Sequence, residues 1–247
     1  MEIDDHYALR TGFAPLPQGK RATLSVQDLG ILRVPSGMLG ACDPFVYLDE
    51  SVIVPIPPGD YPVRVTIADV STDQDGSHLR EAYLSVVLSA AESRLVVPAS
   101  GPNGPPPTDQ FFGVGVDAGT VAFVDAEAVL RCMPEDTSSW YDQVFDSGNP
   151  DSWFSVMDSD APHIRGAANL VMPRAALGEN VVLTHSGWGD GFYPLLETRS
   201  SDGWLTGIHI DLQVVGLFEE DLQDVSATQP QEKLKSSKNW LTRLLGR

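Results

Sequence analysis

The sequence is poor in three features that would place it in a familiar class. It has two cysteines, Cys42 and Cys132, and neither belongs to a C-x-x-C pair. This excludes a disulfide scaffold, a zinc ribbon and thioredoxin-like redox chemistry, and predicts two buried free thiols. No apolar run approaches the ~20 residues that a membrane-spanning helix needs. The first ten residues, MEIDDHYALR, lack the apolar stretch of a signal peptide, so we expect a cytoplasmic protein.

Basic residues are also scarce. Sixteen Lys and Arg stand against 34 Asp and Glu, which gives a formal net charge of −18 at pH 7. The deficit lies entirely in residues 1–230, which carry −22, whereas residues 231–247 carry +4. Such an acidic body repels phosphate backbones, so we expect no nucleic-acid binding. The charge favours solubility and also fits an acidic surface that covers a basic partner.

Glycine (22) and proline (19) are plentiful, and apolar runs are short and often alternating. This pattern predicts a mainly β protein, an antiparallel β-sandwich or distorted barrel with two short helices. We expect one helix after Asp125, whose side chain is placed to cap it, and a second in TSSWYDQVFDSG, which ends at Gly148. Strands are expected near residues 22–34 (as a pair broken at Asp28), 51–56, 61–70, 80–89, 93–99, 111–116, 120–125, 180–186, 192–200 and 204–215.

The stretch HSGWGDGFYP, residues 185–194, is the least ordinary part of the chain. It contains the pair Asp190-Gly191, and the pair Asp202-Gly203 follows. Asp-Gly between strand-like runs is a strong hairpin signal. We therefore expect the last three strands to form a meander, with positive φ angles at Asp190 and Gly191.

Four polar residues near predicted turns are candidates for chemistry: Asp117, Asp125, His185 and Asp190. Carboxylates with an imidazole bind divalent cations or transfer protons. The alternative is structural, since Asp residues also bond turn backbones and cap helices. No fixed-spacing metal motif is present, so we predict no metal site and no cofactor.

Two aromatic residues, Trp188 and Tyr193, flank the glycines of this stretch. They would form an exposed platform for a ligand if both rings faced solvent. The alternative is that Trp188 folds back over the turn and Tyr193 enters the core.

The C-terminal part differs in composition from the rest. We expect a single β-rich domain over residues 1–222, a flexible linker over 223–237 and an amphipathic basic segment over 238–247. On a helix, one face of that segment would carry four apolar residues: Trp240, Leu241, Leu244 and Leu245. Such a tail docks into the groove of a partner protein, or less favourably on an anionic membrane surface. It could instead dock on its own acidic body or fray.

Four motifs occur in order: GACDPF, PPGDYPVRV, GVDAGTVAFVD and NVVLTHSGWGDGFYP. Together they resemble the bacterial family known as domain of unknown function 4241, over about residues 30–215. The resemblance implies a shared β-rich fold and no particular activity. It places at motif positions Asp43, Gly59, Tyr61, Asp117, Gly119, Asp125, Ser186, Gly187, Trp188, Gly189, Asp190, Gly191 and Tyr193.

Two functions are compatible with these observations. The first is a non-catalytic cytoplasmic component that binds another protein through its acidic body and its tail, in an immunity or defence role. The second is a metal-dependent hydrolase or small-ligand binder. Its pocket would be built around the SGWGDG turn from Asp117, Asp125, His185, Asp190 and Trp188. Convergence of these side chains in one cleft would favour the second.

Overall fold

The computed structural model describes residues 3–216, which form two antiparallel sheets with a thin helical layer. The first sheet contains β1 (Gly12–Pro15), β2 (Arg21–Val34), β5 (Gly59–Asp69), β6 (Leu79–Val87), β7 (Leu95–Pro98), β8 (Gly113–Val116), β12 (Gly191–Arg199) and β13 (Leu205–Asp211). The second contains β3 (Met38–Cys42), β4 (Val52–Pro55), β9 (Thr120–Asp125), β10 (Ala167–Val171) and β11 (Asn180–His185). The predicted mainly β antiparallel fold is confirmed, and the first sheet curls into a half-barrel.

The strand order explains how the two sheets enclose a core. The first sheet runs β1-β2-β5-β6-β13-β12-β7, with β8 also paired to β12, and the second runs β10-β11-β9-β3-β4. Apolar side chains from the facing sides of both sheets form one buried cluster, which includes Val65, Leu84 and Ile208 from the first and Phe123 and Val182 from the second. Burial of this apolar surface is the main stabilising contribution.

Residues 21–34 form one long strand, so the predicted break into two strands at Asp28 is wrong. The pairing of β2 with β5 shifts register between Asp28 and Ile31. Gly30 has φ +86° there, and its N–H donates to Asp28 Oδ1 at 2.7 Å. Glycine accommodates the extra residue of the bulge, because it adopts positive φ without steric cost, and the strand continues.

Of the two hairpins expected at the end of the chain, the structure contains the second but not the first. The turn at Asp202-Gly203 joins β12 to β13 in a hairpin, with φ +83° at Gly203. Residues 186–190, however, connect β11 of the second sheet to β12 of the first. The glycine-rich stretch is therefore a crossing between sheets and not a hairpin.

The helical layer packs on the outer side of the second sheet. Helix α1 (Ala126–Cys132) is capped by Asp125, as predicted. Residues 137–148 do not form the regular second helix that we expected: Thr137–Ser139 is a 3-10 turn and Tyr141–Phe145 a π turn. The second helix, α2, is Trp153–Met157. Three further 3-10 turns are Ile3–Asp5, Pro17–Gly19 and Leu48–Glu50.

The N-terminal segment covers a polar patch on the outer side of the first sheet. His209 lies opposite Ser85 across β13 and β6, and its two ring nitrogens lie 2.9 Å from Ser85 Oγ and 3.0 Å from Thr198 Oγ1. The ring of His6 packs edge-on at 4.9 Å from that of His209 and 5.2 Å from that of Tyr83. His6 is 3% exposed, and within residues 3–216 neither of its ring nitrogens has a hydrogen-bond partner.

Both cysteines are buried and unpaired. Among residues 3–216 no helix is long and apolar enough to cross a membrane. The predicted linker over 223–237 and the basic segment over 238–247, with Trp240, Leu241, Leu244 and Leu245, lie outside the described residues.

Candidate functional site

The glycine-rich crossing is held together by hydrogen bonds from two side chains to one backbone carbonyl. Gly187 has φ +72° and Gly189 φ +99°. The carbonyl of Gly189 accepts hydrogen bonds from Ser186 Oγ at 2.6 Å and from the Tyr193 hydroxyl at 2.8 Å. A Cβ atom on Gly187 would lie 2.6 Å from the carbonyl oxygen of Glu81 in β6. Ser186, Gly187, Gly189 and Tyr193 thus shape the crossing and fix it on β6.

The prediction of positive φ at Asp190 and Gly191 is wrong. The left-handed residues are Gly187 and Gly189, and Gly191 begins β12 with ordinary strand geometry. The reason is the crossing itself: the chain changes sheets before Asp190, so no two-residue hairpin forms there. Asp190 is exposed.

The two aromatic residues of the crossing have different environments. Tyr193 enters the core and is 5% exposed. Trp188 does not fold back out of solvent, since it is 55% exposed. The guanidinium carbon of Arg80 lies 5.2 Å from the centre of its ring, and the ring of His78 meets it edge-on at 6.1 Å. Trp188 is therefore a surface aromatic residue beside a cation.

His185, at the end of β11, faces a buried carboxyl group. Its Nδ1 lies 3.9 Å from Glu81 Oε1; the histidine side chain is 51% exposed and that of Glu81 11%. Burial raises the pKa of Glu81 to about 7, with Arg80 opposing the rise. Burial also lowers the pKa of His185, partly offset by Asp158. A carboxyl group with a raised pKa and an imidazole with a lowered pKa thus lie side by side.

Asp117 lies at a second crossing between the sheets. Residues 117–119 join β8 of the first sheet to β9 of the second. The buried carboxylate of Asp43 accepts from the N–H groups of Asp117 at 3.0 Å and Ala118 at 2.6 Å, and from Thr120 Oγ1 at 2.8 Å. The Tyr47 hydroxyl donates to Asp117 Oδ2 at 2.5 Å. Asp43 thus orders this turn, whereas the Asp117 carboxylate lies at the surface and is hydrogen-bonded to Tyr47.

A cleft of about 270 Å³ adjoins Asp117 and Tyr47. Its lining residues are Ala41, Cys42, Tyr47, Glu50, Val52, Val114, Gly115, Val116, Asp117 and Gly191. Of the five residues proposed for a common pocket, Asp117 alone lines this cleft.

Asp125 is structural and lies far from the other candidates. It is fully buried and accepts from the N–H of Ala128 at 3.0 Å and from the N–H and hydroxyl of Ser36, each at 2.8 Å. Thr120, at the opposite end of β9, pairs with His185. Five residues of strand place Asp125 about 17 Å from that end.

The five proposed pocket residues therefore do not converge in one cleft. Asp125 lies at the far end of β9, whereas the other four lie at two neighbouring crossings. His185, Trp188 and Asp190 lie at one and Asp117 at the other, and the two crossings are joined by a 3.0 Å hydrogen bond from the Ser186 N–H to the Gly119 carbonyl. Across residues 3–216, no group of three or more His, Cys, Asp or Glu side chains is arranged to hold a metal ion. The structure instead gathers His78, Arg80 and Glu81 around Trp188 and His185. The charged start of β6 in the sequence was the signal for these residues, but nothing local indicated which turn they would meet.

A second surface feature is a groove on the helical layer, also of about 270 Å³. Its lining residues are Pro44, Phe45, Val46, Leu48, Asp49, Thr137, Ser138, Trp140, Tyr141 and Phe145. Trp140 and Phe145 are nearly buried, whereas Tyr141 is 56% and Val46 45% exposed. We call this feature the aromatic groove.

Comparison with known protein families assigns the chain to one of them. Residues 32–210 match the model of the family described as Protein of unknown function (DUF4241), so the chain belongs to this family. The resemblance drawn from the four sequence motifs is thereby confirmed. The chain matches no curated protein and no solved structure.

Proposed function

We propose that this protein is a non-catalytic interaction component, and that its aromatic groove binds a basic amphipathic segment of a partner protein. The observation that carries the proposal is the combination of apolar lining and acidic surroundings in the groove. Asp49 lines it, and Asp136, Asp142 and Asp146 are each next in sequence to a lining residue. An amphipathic helix that docks in an apolar groove is a common mode of peptide recognition.

The charge around the groove specifies the kind of partner. Residues 132–164 contain seven acidic residues and no Lys or Arg: Glu135, Asp136, Asp142, Asp146, Asp151, Asp158 and Asp160. All seven are exposed. Arg174 and Arg165, from outside this segment, lie within 3.4 Å of Glu135 and 4.0 Å of Asp158. The carboxylates that flank the groove, Asp136, Asp142 and Asp146, attract a basic partner and raise its association rate, an effect that salt weakens.

The exposed aromatic ring supplies the apolar part of the contact. Tyr141 stands at the groove with more than half of its side chain in solvent, and the ring of Phe154 meets it at 6.2 Å. Tyrosine is enriched among residues that dominate binding energy. Tyr141 is therefore the anchor that we expect the partner to cover.

The remaining elements of the proposal concern cellular context. We propose that the protein acts in the cytoplasm, in an immunity or defence role. The basic tail, through Trp240, Leu241, Leu244 and Leu245, would add a second contact with the partner. The acidic body and the opposite charge of residues 231–247 support this division of the chain.

The alternative is a hydrolase or small-ligand binder at the SGWGDG turn. A metal-dependent hydrolase has the weaker support, because Asp125 lies at the far end of β9 and no three His, Cys, Asp or Glu side chains of residues 3–216 are arranged to hold a metal ion. The aromatic and cationic side chains around Trp188 favour small-ligand binding and are considered below.

Charge reversal tests the groove. The full chain carrying Asp142→Lys and Asp146→Lys is compared in affinity capture with the wild type and with Asp73→Lys. Asp73 is an exposed carboxylate in the turn between β5 and β6, so its reversal changes charge away from the groove. We expect the same protein to be captured by the wild type and by Asp73→Lys and lost from the groove variant. Equal capture by all three would refute the proposal.

A further inference from the structure

A cationic platform lies on the surface around the glycine-rich crossing. We define it by four side chains: His78 and Arg80 at the start of β6, His185 at the end of β11, and Trp188. The ring of Trp188 contacts both the guanidinium of Arg80 and the edge-on ring of His78. The platform is unusual in a protein with a net charge of −18, since its exposed groups are aromatic or carry nitrogen donors.

Arg80 differs from most other arginines of the described chain. Six of them lie within 4.0 Å of a carboxylate oxygen: Arg33, Arg64, Arg94, Arg165, Arg174 and Arg199. Arg80 forms no such ion pair among residues 3–216, and its buried Nε has no hydrogen-bond partner. A guanidinium stacked on an aromatic face still donates hydrogen bonds in its own plane, in a geometry that matches carboxylate and phosphate.

Trp188 supplies the second element of recognition. Its side chain is 55% exposed although it belongs to a crossing fixed by two internal hydrogen bonds. A rigid exposed indole ring offers a flat apolar surface at little cost in conformational entropy. A ligand with a flat ring can therefore stack beside Arg80.

We infer that the cationic platform binds a small anion in which a carboxylate or phosphate is attached to a flat ring. Arg80 bonds the oxyanion, Trp188 stacks on the ring, and His185 adds a donor at the exposed end of β11. This assignment is independent of the aromatic groove, because none of the four platform residues lines the groove.

The groups that face the platform make binding depend on pH. Glu81 lies below His185, and its raised pKa of about 7 means that it loses its negative charge as pH falls through neutrality. His185 gains positive charge over a lower pH range, because burial lowers its pKa. Asp158 acts on His185 in the opposite direction and is itself 4.0 Å from Arg165. The platform therefore becomes more positive between pH 8 and pH 6, and anion affinity rises.

Titration of the full chain with model compounds tests the inference. Phenyl phosphate and benzoate are the probes, benzyl alcohol is the neutral control, and the indole N–H signal of Trp188 is followed by NMR, with Trp188→Phe to assign it. We expect saturable binding of at least one anion below about 10 mM, tighter at pH 6 than at pH 8, and no comparable binding of the alcohol. Preference for one anion identifies phosphate or carboxylate as the recognised group.

Arginine variants supply the matched comparison. Arg80→Gln should weaken binding by about 10-fold or more, because it removes a charged donor. Arg64→Gln removes an exposed arginine that lies 3.6 Å from Asp28 in the same sheet, and should leave affinity unchanged. Glu81→Gln supplies a second variant in case Arg80→Gln disturbs folding. It should reduce the difference in affinity between pH 8 and pH 6, because it removes the carboxyl group that titrates in this range. Equal affinity for benzyl alcohol, no binding by about 10 mM, or an unaffected Arg80→Gln variant would overturn the inference.

Discussion

Substitution of Gly187 tests how the glycine-rich crossing is built. Alanine at this position incurs the cost of a left-handed backbone, about 1–2 kcal/mol, because φ is +72°. Its Cβ would also lie 2.6 Å from the Glu81 carbonyl oxygen and 2.7 Å from Val214. The carbonyl belongs to a paired strand and cannot withdraw freely, so overpacking adds about 1–3 kcal/mol. The expected destabilisation of Gly187→Ala is therefore about 2–5 kcal/mol.

Two neighbouring glycines serve as controls. Gly189 has φ +99°, and no atom of residues 3–216 beyond its two chain neighbours lies within 4 Å of the place that an alanine Cβ would occupy. Gly189→Ala should therefore lose only the free energy of the left-handed backbone, about 1–2 kcal/mol. Gly191 has no positive φ, and its Cβ would approach only the Tyr193 ring, at 3.3 Å. Gly191→Ala should therefore cost less than about 1 kcal/mol. Thermal unfolding of the three variants should rank them in this order, with about 2–4 °C of Tm per kcal/mol. A Gly191 variant less stable than the Gly187 variant would refute the crossing geometry.

Three further predictions concern buried polar groups. Burial lowers the pKa of His6 to about 4, so the unfolded chain takes up a proton first and the free energy of unfolding falls as pH drops from 6.5 towards 4. In urea unfolding, His6→Phe should therefore lose about 2 kcal/mol less of this free energy than the wild type between pH 7 and pH 5. An equal loss in the two proteins would contradict this. The pKa of Glu81 is raised to about 7, so the free energy of unfolding falls as pH rises from 4.5 to 7. Relative to the wild type, Glu81→Gln should be more stable at pH 8 than at pH 4 by up to about 3 kcal/mol. A difference from the wild type that stays the same at both pH values would argue against this. Asp125→Ala should lower the free energy of unfolding by about 3 kcal/mol or more, because the buried carboxylate accepts three hydrogen bonds. Asp136→Ala, at an exposed helix cap, should lower it by about 1 kcal/mol. Similar melting temperatures of the two variants would exclude this difference.

Local features of the fold could be predicted where the determining contacts are local. The N-cap at Asp125 and the hairpin at Asp202-Gly203 depend on residues within one turn of each other, and the structure contains both. The strands at 79–87, 95–98 and 180–185 follow from short alternating or apolar runs. These parts need no knowledge of the rest of the chain.

The pairing of strands could not be predicted in the same way. A glycine-rich turn signals that the chain reverses or bends, but it carries no information about which sheet the next strand joins. Residues 117–119 and 186–190 both have turn composition, and both carry the chain from one sheet to the other. The hairpin expected at Asp190-Gly191 failed for this reason.

The candidate sites depend even more on distant contacts. Arg80 and Glu81 meet His185 and Trp188 only because the crossing after β11 packs on β6. Asp43 orders the turn at Asp117 although it lies in a different part of the sequence. A sequence pattern indicates which residue types are present, whereas the sheet arrangement decides which of them become neighbours.

The central claim is that the aromatic groove receives a basic amphipathic segment, and photo-cross-linking at Tyr141 tests it most directly. A photoreactive phenylalanine derivative replaces Tyr141 in the full chain. A control variant of the same chain carries the derivative in place of Phe13, an exposed residue on β1 in the first sheet. We predict a covalent adduct from position 141 alone, with the attached peptide rich in Lys or Arg and apolar on one helical face. No adduct at position 141, or an acidic peptide there, would contradict the proposal.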